Sequence, residues 1–252
     1  MNTVSCDLSV RSFLLTKSGT GPMECEDAIA FNRSHLIFAI ADGATEAYDS
    51  RSWARLLVRS WVRIDPAAFA MVDFEPLLRE LGIRLHRKWA RRKLPWYAAE
   101  KAQSGSFTAF LGLQLFPHDN DLHWRALAAG DCCLIHRRNG VVDQTFPISS
   151  ADDFGWNPIL LPSLTSKQKE SLRVIRQVEG QTGSGDDFLL LTDAVAAWFL
   201  RQVERGSKES ILAFDQAVQS NETEALGEFF GNLRNSREIR NDDIAVLRIS
   251  IC

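Results

Sequence analysis

Apolar residues recur along this chain with two different periods. Leu8–Leu15 alternates enough to predict a first strand, and Leu36-Ile-Phe-Ala-Ile-Ala41 is an uninterrupted apolar run suited to burial on both faces. That run stops at the turn pair Asp42-Gly43. From 45 to about 64 the period becomes helical, with Trp53, Leu57, Trp61 and Ile64 on one stripe. A second helix is predicted over 74–92 from Leu77, Leu78, Leu81, Leu85 and Trp89. Residues 106–115, 124–129 and 134–137 then read as three strands of an antiparallel meander. Residues 147–162 form an ordered loop whose packing comes from Phe154, Trp156, Ile159 and Leu160. Strands are expected at 172–178 and 187–192 around a turn at 180–185, and helical patterns at 194–198, 211–218 and 226–233. Ile244–Ile251 alternates cleanly and reads as a closing strand. Strands, then helices, then strands again is an α+β order, and no Pro/Gly/Ser linker interrupts it, so one domain over 1–252 is expected.

Composition narrows the function classes. The 252 residues are 45% hydrophobic and 24% charged, with a net charge of -3, which gives no basic excess for a nucleic-acid partner. No run approaches the roughly 18 apolar residues of a membrane span, so no membrane partner is expected. The first twenty residues carry no secretory apolar core. Five cysteines (Cys6, Cys25, Cys132, Cys133 and Cys252) include no C-x-x-C pair and read as reduced packing thiols in a cytoplasmic protein. The two short glycine loops, Gly19-Thr-Gly21 and Gly183-Ser-Gly185, lack a phosphate-loop or dinucleotide frame. Arg84, Arg87, Lys88, Arg91, Arg92 and Lys93 crowd the end of the second helix. They read as a solvated face that complements the helix dipole, or as a dock for a phosphorylated or acidic partner.

The informative residues are acids at the edges of apolar runs. Asp42 follows Leu36-Ile-Phe-Ala-Ile-Ala41, Asp131 follows Leu127-Ala-Ala-Gly130, Asp193 follows Phe188-Leu-Leu-Leu-Thr192, and Asp242-Asp243 precedes Ile-Ala-Val-Leu247. Each alone can be read as a cap on the following turn or helix. Together they point elsewhere, because a carboxylate at a buried strand end must be hydrogen-bonded, paired or bound to a cation. No Arg or Lys stands beside the first three in sequence. Oxygen-only clusters of this kind suit Mg2+ or Mn2+.

Six short elements share one order: Glu26-Asp27-Ala28, Ala41-Asp42-Gly43, Ser104-Gly-Ser-Phe-Thr-Ala109, Ala129-Gly130-Asp131, Leu191-Thr192-Asp193 and Asp242-Asp243-Ile-Ala-Val246. In that order they resemble the E-D-A, D-G, G-S-T-A, G-D-S, S/T-D-G and D-N/D-x-T-V elements of the metal-dependent, type 2C serine/threonine protein phosphatases, over about 8–251. The resemblance implies an α+β fold, a four-layer α-β-β-α sandwich with two central antiparallel sheets flanked by helices. It implies two or three Mg2+ or Mn2+ ions. Asp42 would bridge two of them, the Gly43 carbonyl would ligate one, and Asp193 and Asp242 would complete the pair. Asp131 with Asp193 would hold the third. Glu26 and Asp27 would be the catalytic acids that hold waters of those ions.

The implied activity is hydrolysis of phosphoserine and phosphothreonine in a phosphorylated protein substrate, by attack of a water bridging two cations, opposing a serine/threonine kinase. The family's phosphate-binding arginine falls near Pro22, which leaves Arg11, Lys17 and Arg51 as candidate cations. Ala44 stands where many members carry a general-acid histidine, and Ala194 replaces a glycine after Asp193. Those departures suggest a divergent bacterial-type branch. They also keep two alternatives open, a catalytically weak phosphatase-fold module that binds a phosphoprotein or partner, and a hydrolase of small phosphoesters.

Overall fold

A computed structural model of the chain describes residues 7–65, 74–119, 121–155, 158–220 and 223–252. Cys6 and Trp156, assigned above to packing, lie outside the described residues. Eleven strands are described: β1 (Leu8–Leu15), β2 (Ala28–Asn32), β3 (Ile37–Gly43), β4 (Phe107–His118), β5 (Asp121–Ala129), β6 (Cys133–Arg138), β7 (Val141–Phe146), β8 (Leu161–Pro162), β9 (Arg176–Thr182), β10 (Asp186–Leu191) and β11 (Ile244–Ile251). The helices are α1 (Ser50–Trp61), α2 (Phe74–Ala90), α3 (Trp96–Ser104), α4 (Thr165–Leu172), α5 (Asp193–Glu204), α6 (Lys208–Gln219) and α7 (Thr223–Asn235).

The strands form two sheets in which every described pairing is antiparallel. One has the order β1-β11-β10-β6-β7; the other runs β2-β3-β4-β5-β9, with β8 beside β4. Strand alternation decides the layers. Phe38 and Ile40 of β3 meet Phe188 and Leu190 of β10 and Leu247 and Ile249 of β11 in the core between the sheets. The intervening Ile37, Ala39 and Ala41 face Trp53, Leu57 and Trp61 of α1 and Leu78 and Leu81 of α2. On the far side, Leu189, Leu191, Ile244 and Val246 pack against Trp198, Phe199, Phe214 and Phe230 of α5–α7. The order of layers is therefore helix, sheet, sheet, helix, as the resemblance implied.

Several local expectations need correction. The first helix begins at Ser50, after an Asp49 with φ 53°, and not near Thr45. The strands at 134–137 and 124–129 do not join one meander, because β4 and β5 pair in one sheet while β6 lies in the other. The chain changes sheets at Gly130, whose φ is 88° and where a Cβ would stand 2.6 Å from that of Ala109. Residue 172 ends α4 instead of starting a strand, and Gly180 belongs to β9 instead of a turn. The described residues of the loop expected at 147–162 include a 3-10 turn at Ala151–Asp153 and the short strand β8 at its end.

Candidate functional site

The sheet registers bring the acids to one edge of the sandwich. Leu191 pairs with both Val246 of β11 and Cys133 of β6, so the end of β10 and the starts of its two neighbours lie together. Asp193, Asp242, Asp243 and Asp131 stand immediately outside those strand ends. In the other sheet Ala28 pairs with Ala41 and Gly43 with Thr108, which puts Asp27 and Asp42 at the same level. Gly43 allows the close approach: a Cβ there would lie 3.0 Å from Ser50 and 3.1 Å from the Glu26 carbonyl.

Polar contacts hold the rim together. Asp243, 4% exposed, accepts the Lys17 amide on Oδ1 at 2.8 Å and the Glu26 amide on Oδ2 at 2.7 Å. The Arg234 guanidinium fixes the loop from behind, donating to the Thr16 carbonyl at 3.0 Å and the Asp242 carbonyl at 2.6 Å. Thr192 accepts the Ala245 amide on Oγ1 at 2.9 Å and donates to Asp27 Oδ2 at 2.9 Å. The Glu26 carboxylate is occupied by Ser50 Oγ, by Thr45 Oγ1 at 2.7 Å and by Lys17 Nζ at 3.4 Å. Of the three cations proposed to replace the family arginine, Lys17 reaches an acid of this cluster, Glu26. Arg11 lies mid-strand opposite Arg248, and Arg51 donates to Met23 Sδ at 3.7 Å.

Electrostatically the cluster is under-compensated. Asp27 is 1% exposed and its Oδ1 has no hydrogen-bond partner, while the Asp42 carboxylate makes no hydrogen bond or ion pair among the described residues. Burial, and then the negative field of the neighbouring aspartates, pushes the carboxyl groups of Asp27 and Asp42 well above the ordinary carboxylate range. Asp131, 7% exposed, is pushed up to about 7 by burial and then by Asp193. Asp193 is also raised by burial, against the opposing pull of Arg240.

Arg240 is the residue that sequence reading missed. Its guanidinium pairs with Asp193 and lies 3.0 Å from Asp242, so Asp193, which has no cation beside it in sequence, has one in space. The two partners are far apart in sequence from each other, so no local pattern signals the contact. The only available cue was the alternation of charge in Arg240-Asn-Asp-Asp243. Asp193 is the first residue of α5 and accepts the Ala194 amide at 2.5 Å, with Thr192 as the N-cap. The capping alternative therefore accounts for one oxygen of Asp193 and does not apply to Asp42, which starts no helix.

The donor set fits a hard divalent cation chemically: buried carboxylates, an orphaned oxygen on Asp27 and raised proton affinities are what an all-oxygen site looks like without its charge compensation. As placed, no three of the described His, Cys, Asp or Glu converge on one ion position. Arg240 holds Asp193 and Asp242 on its own guanidinium instead. A depression of about 440 Å³ opens beside them, lined by Asp193, Arg240, Arg201 and Arg237.

No protein-family model and no curated protein matches the sequence. Solved structures do. The catalytic domain of the serine/threonine protein phosphatase PstP, in complex with 2 manganese ions, superposes with TM-score 0.60 at 12% identity, over 97% of this chain and 99% of that one. Serine/threonine phosphatase Stp1 from Staphylococcus aureus gives TM-score 0.60 at 13% identity over 98% and 96%. PppA, a key regulatory component of T6SS in Pseudomonas aeruginosa, gives 0.57 at 17% over 97% and 98%. With its two antiparallel sheets, its flanking helices and strand ends that gather the acids at one edge, this chain has the fold of the type 2C serine/threonine protein phosphatases.

Proposed function

We propose that this chain is a divalent-cation-dependent protein serine/threonine phosphatase, carried on one domain and acting against a kinase in a bacterial cytoplasm. The observation that carries the reading is the group of buried Asp27, Asp131 and Asp193 with half-buried Asp42, whose negative charge exceeds what one half-exposed arginine compensates. Cys25, Cys132, Cys133 and Cys252 are free thiols, which suits a reducing compartment, and no described helix is long and apolar enough to cross a membrane.

Asp42, Asp193 and Asp242 would hold two Mg2+ or Mn2+ ions with the Gly43 carbonyl, and Asp131 with Asp193 a third. Bound ions would neutralise phosphoryl oxygens and lower the pKa of a water. The remaining tasks fall to the protein. Thr192 fixes one oxygen of Asp27 and leaves the other able to accept a proton from a water. Asp243 ties Glu26 to β11, so the acids of both sheets keep their spacing. Lys17 and Arg240 stand at the rim, and with Pro22 in the place of the family arginine they, together with Arg201 and Arg237 of the adjoining depression, are cations available to meet a phosphate dianion. Ala44 has no proton to give, so the leaving oxygen takes its proton from solvent.

The pairing of Arg240 with two of these acids favours a second reading, a module that keeps the fold and binds a phosphoprotein with little turnover. Hydrolysis decides between them. With Mn2+ or Mg2+ the protein should cleave p-nitrophenyl phosphate and phosphopeptides, and Asp42→Ala or Asp193→Ala should lower the rate by about a hundredfold or more. Equal rates in EDTA would overturn the reading, and cleavage of small esters alone would reassign the substrate class.

A further inference from the structure

The outer helical layer carries a groove that the site does not use. It runs between α1 and α2, has a volume of about 1150 Å³, and is lined on one side by Arg55, Arg59 and Arg63 and on the other by Arg84, Arg87, Lys88 and Arg91. Glu80 is the single acid in its lining. The positions 55, 59 and 63, and 84, 87, 88 and 91, each fall on one face of a helical period, so two cationic ridges face each other. The side chains of these seven residues make no ion pair or hydrogen bond with a described residue. Burial and then the neighbouring Arg51 and Arg59 push the Arg55 guanidinium below its ordinary value, as expected of like charges held together.

The helices run antiparallel, which fixes how the groove lies relative to the acids. Trp61, the last residue of α1, stacks edge-on with Phe74, the first of α2, at 5.8 Å, while Trp89 near the end of α2 donates to Asp49 Oδ2 at 2.9 Å. Arg87, Lys88 and Arg91 therefore stand at the end where α1 begins, and Ser50 there contacts Glu26 of the acid cluster. From Ser52 to Arg63 the groove runs roughly 15 Å away from that point, the reach of about five residues of extended chain.

We propose that this groove docks an acidic, extended segment of the phosphoprotein substrate, an inference that rests on the phosphatase reading for the word substrate and on the groove alone for the binding. Charge complementarity names an anionic occupant. The dimensions and lining favour a polypeptide over nucleic acid. A duplex about 20 Å across does not enter a cleft between helices packed some 8–10 Å apart. A single strand is held by stacking on aromatic rings, and this lining has none.

The test is a titration of a fluorescein-labelled peptide with a run of about six glutamates, matched to the groove length, by anisotropy in EDTA. Wild-type protein should bind it, more weakly as salt rises from about 50 to 300 mM. Arg59→Glu with Arg84→Glu should weaken binding about tenfold or more, while Arg59→Lys with Arg84→Lys retains it. If the reversed protein fails to fold in a thermal scan, Arg59→Gln with Arg84→Gln is read in the same titration. Absence of binding, or equal binding by wild type and the charge-removed proteins, overturns the proposal, as does tighter binding of an unstructured RNA of the same charge. In a second arm, phosphopeptides with and without a glutamate flank should differ in KM and not in kcat for wild type. If no phosphopeptide is cleaved, the phosphatase reading fails, and the titration in EDTA still judges the groove.

Discussion

Asp131 offers the sharpest test of the claim that the acid cluster is uncompensated without a cation. It lies in the turn where the chain passes from one sheet to the other, and burial followed by the Asp193 charge pushes its carboxyl up to about 7, from an ordinary value of 3.8. A group bound more tightly to its proton in the folded state stabilises that state at low pH. The contribution is full below the unfolded value, near 4, and is lost as pH rises through about 7. Three pKa units correspond to about 4 kcal/mol, an upper bound because neighbouring aspartates share the proton. The perturbation is Asp131→Asn, close in shape but without the charge. In EDTA, wild type should lose stability between pH 5 and pH 8 relative to the variant. At pH 8 the variant should be the more stable by about 2–4 kcal/mol, or roughly 5–15 °C in Tm for a domain of this size. Urea unfolding at both pH values measures it, and the difference between the two proteins cancels the titrating groups that do not interact with Asp131. Parallel pH profiles for the two proteins, or a wild type that gains stability relative to the variant as pH rises, would refute the reasoning. Added Mn2+ should raise wild type more than the variant at pH 8, since a bound cation removes the same repulsion.

Arg240→Gln should tighten Mn2+ binding by about fivefold in calorimetry, because an ion no longer competes with a guanidinium for Asp193 and Asp242; the pair is 53% exposed on the arginine side, so its strength is discounted to about 1 kcal/mol. Weaker Mn2+ binding by this variant would show that Arg240 organises the acids instead of occupying them. Gly112→Ala should cost about 1–3 kcal/mol in urea unfolding, since a Cβ at that point of β4 overlaps the Trp61 indole, and an unchanged midpoint would mean that α1 moves freely over the sheet.

What could be read from sequence, and what could not, follows from how each element is held. The strand β3 and the closing strand β11 are legible because their apolar residues serve layers on both sides. The stripe of α1 is legible for a related reason, since Trp53, Leu57 and Trp61 all enter one core. By contrast, α4 has the sequence TSKQKESL and buries Gln168 and Ser171, and it is seated by Gln168 donating to the Leu78 and Pro162 carbonyls at 3.0 and 3.3 Å. Hydrophobic periodicity has nothing to register there. The edge strand β7 likewise buries only Phe146. The change of sheet at Gly130 was misread because a hairpin and a sheet crossing both require a glycine with positive φ. For the site, the order of the acids was visible and their mutual approach was not, because it depends on registers such as Leu191 opposite both Cys133 and Val246. Arg240 was invisible for the same reason.

One strand carries two solutions to the cost of burying carboxylates, and the contrast separates structure from function. At its start, β10 places Asp187, 4% exposed, against Arg137, 1% side-chain exposed, and against Arg248 at 2.8 Å. Arg137 also binds both oxygens of Asp215 at 2.9 Å, so two acids meet two arginines and the ledger of charge closes within the protein. A network completed in this way needs no ligand, and removing one partner would leave an uncompensated buried ion. Beyond the other end of β10, Asp193 joins Asp27, Asp42 and Asp131, with Asp242 at their rim. Among the described residues Arg240 is the guanidinium that pairs with these aspartates, and it comes from solvent, more than half exposed. Same strand, same residue type, similar burial: the difference lies in the missing positive charge. Acids left in that state must take up protons, as the raised values of Asp27, Asp42, Asp131 and Asp193 express, or cations from outside. Near neutral pH, where protons are scarce, divalent cations would meet that need, which is why this end of the sandwich is where chemistry is to be sought.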